Sequence, residues 1–102
     1  MTEWYEHMVM GEKASRHRFD ILEKIRSKKG LRGIYVIVPA MNPKNILDII
    51  PAKELEKDWY EERQDLLVVG VAKGYDEALE VAGQIVGRLY RTTGSFELER
   101  ML

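Results

Sequence analysis

Two short runs of this chain are apolar at every position that a strand would present to either side. One is Ile34-Tyr35-Val36-Ile37-Val38, preceded by Gly33 and ended by Pro39. The other is Leu66-Leu67-Val68-Val69-Gly70-Val71-Ala72, interrupted by Gly74. A strand with one wet face alternates apolar with polar residues; these runs do not, and both are rich in β-branched side chains. They therefore read as interior strands of one sheet. The longest apolar stretch, Gly33 to Met41, is about half the roughly 20 residues that a membrane-spanning helix needs.

The remaining periodicities supply what surrounds those strands. From Glu12 to Lys29 the pattern is helical: Ala14, Phe19, Ile21, Leu22 and Ile25 fall in one arc, and Lys28-Lys29 followed by Gly30 is a C-terminal stop. Met41-Asn42-Pro43-Lys44-Asn45 has turn chemistry, after which Ile46 to Ile50 returns as the second arm of a hairpin. Pro51 suits the first position of a short helix through Leu55 and Trp59, closed by Gln64-Asp65. A long helix opens at Asp76-Glu77, carries apolar pairs at Ala78/Leu79, Ile85/Val86 and Leu89/Tyr90, and stops at Thr93-Gly94. At the start, Tyr5, His7 and Val9 alternate with Glu6, Met8 and Met10, so residues 1–11 form either an edge strand or a loosely attached arm. The tail from Phe96 to Leu102 is amphipathic and too short to assign. The expected order is α-β-β-short α-β-α. It describes a two-layer α+β domain spanning residues 1–102, with a three- or four-stranded, mostly antiparallel sheet and two main helices on one face.

Composition narrows the function classes. The chain has 102 residues, 45% hydrophobic and 32% charged, which suits a folded single domain. A net charge of -1 argues against a wholly basic surface made for polyanions. With no cysteine there is no disulfide, thiolate metal site or cysteine nucleophile. The acidic, aromatic start Glu3-Trp4-Tyr5-Glu6 is unlike a secretory signal, so the expectation is a cytoplasmic protein without membrane association.

The segments Gly11-Glu12, Gly33 to Ile37, Asn45 to Ile50, Val69 to Glu80 and Tyr90 to Gly94 together resemble a group of small bacterial proteins of unknown function, found chiefly in Gram-positive anaerobes. The resemblance runs over most of the chain and contains no catalytic signature. It implies a bacterial, single-domain, cytoplasmic protein and no particular activity.

Three features carry candidate chemistry. The strand-loop-helix around Gly70, Lys73, Gly74 and Tyr75 places glycines and a lysine before a helix start, where a phosphate can be cradled. Its spacing matches neither the P-loop nor the dinucleotide fingerprint, and Asp76 and Glu77 in the first turn already complement the helix dipole. The plainer reading is a tight turn with self-capping carboxylates. The second feature is the basic end of the first helix: Lys24, Arg26, Lys28, Lys29 and Arg32 are the residues that would meet a nucleic acid. Against that, Glu12, Arg16, Asp20 and Lys24 form an alternating i,i+4 ladder, so the exposed face is mixed rather than uniformly cationic. The third feature is Gly83 and Gly87, one turn apart within the long helix. Each costs up to about 1 kcal/mol relative to alanine. Close contact with the protein's own sheet or first helix is the commoner reason, and a helix–helix dimer seam the sharper one.

Catalytic constellations are poor. His7 and His17 are the only imidazoles, no metal-ligand cluster is legible, and Ser15, Ser27 and Ser95 lack a nucleophile context. Asp48, flanked by aliphatic residues, is expected to bond a nearby backbone N–H, and Trp4, Trp59 and Tyr60 to pack at the core's edge. The sequence therefore leans toward a non-enzymatic protein that needs no cofactor or metal. It would act through protein contacts and self-association as a homodimer, with nucleic acid or a small phosphorylated ligand as alternative partners.

Overall fold

The two apolar runs pair with each other. In the computed structural model, which describes residues 2–40, 44–56 and 66–98, they are β2 (Ile34–Pro39) and β4 (Leu66–Lys73), antiparallel, with Val36 opposite Val71 and Ile37 opposite Gly70. Strand β3 (Leu47–Pro51) lies antiparallel on the outer side of β2. Strand β1 (Thr2–Met10) lies parallel to β4, so the four-stranded sheet has the order β1-β4-β2-β3. The opening residues are thus an edge strand. The class is α+β and the sheet is mixed, with one parallel and two antiparallel pairings.

The layering differs from the expected two layers. Helix α1 (Glu12–Ser15) and helix α2 (Arg18–Ser27) place Ala14, Ile21 and Ile25 against Val36, Val38, Val68 and Val71 on one face of the sheet. The long helix, α3 (Tyr75–Thr93), places Ala78, Val81 and Ile85 against Ile37, Val69 and Ala72 on the other. The reason lies in β2 and β4. Strands apolar on both faces must be covered on both, and two helices on one side would have left Ile37 and Val69 in water.

Strand β4 is not regular. Val68 and Val71 face the side covered by α1 and α2, whereas Val69 packs toward α3 and a side chain at Gly70 would point there too. A β-carbon on Gly70 would sit 2.8 Å from Val81 Cγ1 and 3.0 Å from Ile85 Cδ1. The neighbouring β1 changes register over the same stretch, pairing Trp4 with Val68 but Val9 with Gly70. This irregularity bends the edge of the sheet, a common way of making an edge strand a poor template for further pairing.

Three local expectations need correction. The first helix is broken at His17 (φ -125, ψ 37), and α2 restarts with Ile21 and Ile25 as its buried line. Phe19, two residues before Ile21 and so on the opposite side of α2, is 86% exposed rather than part of the core. Helix α2 ends at Ser27 with Lys28 itself in the left-handed conformation (φ 58), so the stop precedes Gly30. Pro51 closes β3 instead of opening a helix, and the following Ala52–Glu56 is a 3-10 turn that buries Ala52 and Leu55. The stop at Gly94 is as expected, its N–H donating to the Tyr90 carbonyl at 2.8 Å. The expected turn at Met41-Asn42-Pro43, the expected helical stretch as far as Trp59 with its closure at Gln64-Asp65, the expected packing of Trp59 and Tyr60, and the last residues through Leu102 fall outside the described residues.

Candidate anion-binding cleft

Three chain junctions meet at one end of the sheet. Strands β1 and β4 are parallel neighbours whose carboxyl ends lie together, and the chain leaves them toward opposite faces: β1 leads through Gly11 into α1, and β4 leads through Gly74 into α3. Parallel neighbours that diverge in this way open a crevice beyond their carboxyl ends, the place where open α/β sheets collect ligands. The third junction, Gly33, enters β2. Gly33 (φ 80) and Gly74 (φ 87) both hold left-handed backbone that favours glycine, and the Gly74 N–H donates to the Gly33 carbonyl at 2.7 Å.

The floor of this crevice is organised by one carboxylate. Glu77, in the first turn of α3, is 6% exposed and accepts backbone N–H bonds from Lys13 (2.7 Å), Ala14 (3.0 Å) and Lys73 (3.0 Å). Lys13 and Ala14 are the second and third residues of α1, whose N-cap, Gly11, has no side chain to offer. Glu77 therefore supplies the cap from across the molecule. A β-carbon at Gly11 would run into the Glu77 side chain, so the glycine makes room for the distant cap. Burial by itself would raise the Glu77 carboxyl. The N–H donors of Lys73, Lys13 and Ala14, with the charge of Lys13, outweigh it and hold the group below its ordinary value of 4.5. The self-capping role expected for this carboxylate within its own helix is thus corrected: it ties α1, β4 and α3 together.

Above Glu77 lies an open surface cleft of about 480 Å³, lined by Lys13, Arg16, His17, Gly33, Lys73 and Gly74. A smaller hollow of about 180 Å³ adjoins it, sharing His17 and Lys73 and adding Lys24 and Arg32. Three of the nearby carboxylates are already engaged. Glu12 pairs with Arg16 at 2.9 Å, Asp20 pairs with Lys24 at 3.0 Å, and Glu77 is committed to backbone. Among the described residues, Lys73, His17 and Arg32 have no ion-pair partner. The result is a concentration of cationic side chains on a protein whose net charge is only -1.

The structure brings together parts of two separate sequence candidates. Lys73 and Gly74 of the β4–α3 turn share the cleft region with Lys24 and Arg32 from the basic segment. Other candidates fall elsewhere. Gly70 is buried beneath α3, and Tyr75 points outward with its ring edge-on to Tyr35, centroids 5.7 Å apart. Arg26 pairs with Glu23 at 3.5 Å, while Lys28 and Lys29 form the C-terminal turn of α2 and do not line the cleft. Gly83 and Gly87 lie on the outer side of α3, and an added β-carbon at Gly83 would meet nothing within 4 Å. Contact with the protein's own sheet therefore does not explain that glycine. Asp48 is half-buried on β3 opposite Val38. Sequence reasoning passed over Lys13, Arg16, His17 and Gly33 as site residues. The one available signal was Gly11 opening a helix without a capping side chain, which required a cap from elsewhere.

No family model matches the chain, and neither a curated protein nor a solved structure matches it.

Proposed function

We propose that the protein binds a small phosphate-bearing molecule in the cleft at the carboxyl ends of β1 and β4. The observation that carries this reading is the convergence of Lys13, Arg16, His17 and Lys73 on a single hollow of about 480 Å³. That volume falls within the range of small-molecule sites, about 300–1,000 Å³. Arg16 offers a planar donor fork, Lys13 and Lys73 supply compact charge, and backbone at Gly33 and Gly74 permits close approach. Glu77 lies below the cations and is saturated by N–H donors, so it positions their backbone without exposing a bare carboxylate to an incoming anion.

The test is a ligand-shift melt of the whole chain with inorganic phosphate, nucleoside mono- and diphosphates, and sugar phosphates, followed by calorimetry on any hit. The expected result is a saturable rise in melting temperature for one class and a tenfold or greater loss of affinity in Lys73→Glu. A flat response across the panel refutes the reading. Retention on single-stranded RNA with a steep salt dependence, weakened by reversing Lys28 and Lys29, would favour the nucleic-acid alternative instead.

A further inference from the structure

We propose that α3 is the seam of a symmetric homodimer, on which a second copy of this chain docks its own α3 antiparallel. The proposal does not depend on the cleft. Beside the buried line Ala78, Val81, Ile85 and Leu89 runs a second apolar line, Tyr75, Leu79, Ala82, Val86 and Tyr90, at spacings of three and four. Tyr75, Leu79 and Tyr90 are 54%, 49% and 53% exposed, and the line continues past the helix end through Phe96, stacked on Tyr90 with ring centroids 5.0 Å apart. Gly83 lies next to this line near the helix midpoint, with open space where its side chain would be. A mid-helix glycine with no intramolecular contact to require it lets another backbone approach closely.

Charge selects the occupant and its direction. Asp76 and Glu80 flank the apolar line in the first half of α3, and Arg91 flanks it in the second. None of the three has an ion pair among the described residues. The Arg91 guanidinium lies back over Gly87, its Nη1 3.2 Å from where a β-carbon there would be. In an antiparallel helix pair the same flank of both helices meets. Centring the pair between Gly83 and Gln84 sets position 76 against 91 and position 80 against 87. Arg91 of each copy then falls between Asp76 and Glu80 of the other. A parallel pair would set this flank against the opposite flank of the partner, the buried side of α3, and leave Asp76, Glu80 and Arg91 without partners. Gly87 acquires a role in this arrangement, leaving the space over which Arg91 lies.

A single helix pair is at the small end of stable interfaces, so dissociation in the micromolar range is expected. Sedimentation equilibrium of the full chain, from low micromolar to near-millimolar concentration, should show a monomer–dimer equilibrium. Leu79→Glu should weaken it at least tenfold. Phe19→Glu, on the exposed side of α2, should leave it unchanged. Because the chain has no cysteine, oxidising a mixture of Asp76→Cys and Arg91→Cys reads direction directly, and mixed disulfides should outnumber self-pairs. A monomer at every concentration, association indifferent to Leu79→Glu but lost in Phe19→Glu, or a predominance of self-pairs would overturn the proposal.

Discussion

Replacing Glu77 by alanine removes the acceptor for three backbone N–H groups at once, those of Lys13, Ala14 and Lys73. The Ala14 N–H is buried, and leaving it unsatisfied costs about 1–3 kcal/mol; the Lys13 and Lys73 groups are partly buried and can recruit water, at about 0.5–1 kcal/mol each. The expected loss is therefore about 2–5 kcal/mol, a large fraction of the stability of a domain this size. Urea unfolding at neutral pH, followed by circular dichroism, measures it. Glu77→Gln should lose less, about 1–2 kcal/mol, because its carbonyl can still accept two of the bonds while its amide opposes the third donor. The pH dependence separates charge from shape. The folded-state carboxyl is held below 4.5, so its contribution is complete above that value and is lost as pH falls through the folded-state pKa. The stability gap between the native chain and Glu77→Gln should consequently narrow on acidification. Gly11→Ser supplies the sharpest check. Alone it should destabilise, since its β-carbon collides with Glu77; in the Glu77→Ala background it should recover about 1 kcal/mol by capping α1 locally. A Glu77→Ala chain within about 0.5 kcal/mol of the native one, or a serine at position 11 that behaves alike in both backgrounds, would refute the distant-cap argument.

Other perturbations follow from the same packing. Gly70→Ala should destabilise by about 1–3 kcal/mol, because the added carbon overlaps Val81 and Ile85 in a packed layer; thermal melting measures it. Gly74→Ala should cost about 1–3 kcal/mol from backbone strain at φ 87, ψ 150, a region essentially reserved for glycine, and should blunt any phosphate response in the same melt. Gly83→Ala, measured below the concentration at which the chain associates, should stabilise by about 0.5–1 kcal/mol through helix propensity alone. Removing the exposed Glu12–Arg16 pair by Glu12→Gln should change unfolding free energy by less than about 0.5 kcal/mol, yet alter anion affinity by freeing Arg16.

What the sequence disclosed depended on how local each determinant is. The β2 and β4 runs and the α3 stripe are written in consecutive residues, and all three are found where the pattern put them. The face on which each helix lies is not local. It depends on the path taken out of β1 and β4, and the doubly apolar strands stated only that both faces needed a cover. Phe19 was misplaced because the apolar arc was drawn too wide: it stands two residues from Ile21, on the opposite side of α2 whether or not the helix breaks at His17. The cleft joins Lys13 and Lys73, sixty positions apart, through a contact made by Glu77. In the sequence, Glu77 looked like an ordinary first-turn acid. Charge identity was legible; convergence was not.

The parallel pairing of β1 with β4 has a consequence for biosynthesis. Of the four strands of this sheet β1 is synthesised earliest, yet Leu66 to Lys73 must emerge before Trp4 or Val9 has anything to join. Until then the β2–β3 hairpin can form from nearby residues, while α1 waits for a carboxylate that has not yet been translated. Nascent chains halted before position 66 should leave β1 open to proteases, and its protection should appear only once Leu66 to Glu77 are out of the exit tunnel.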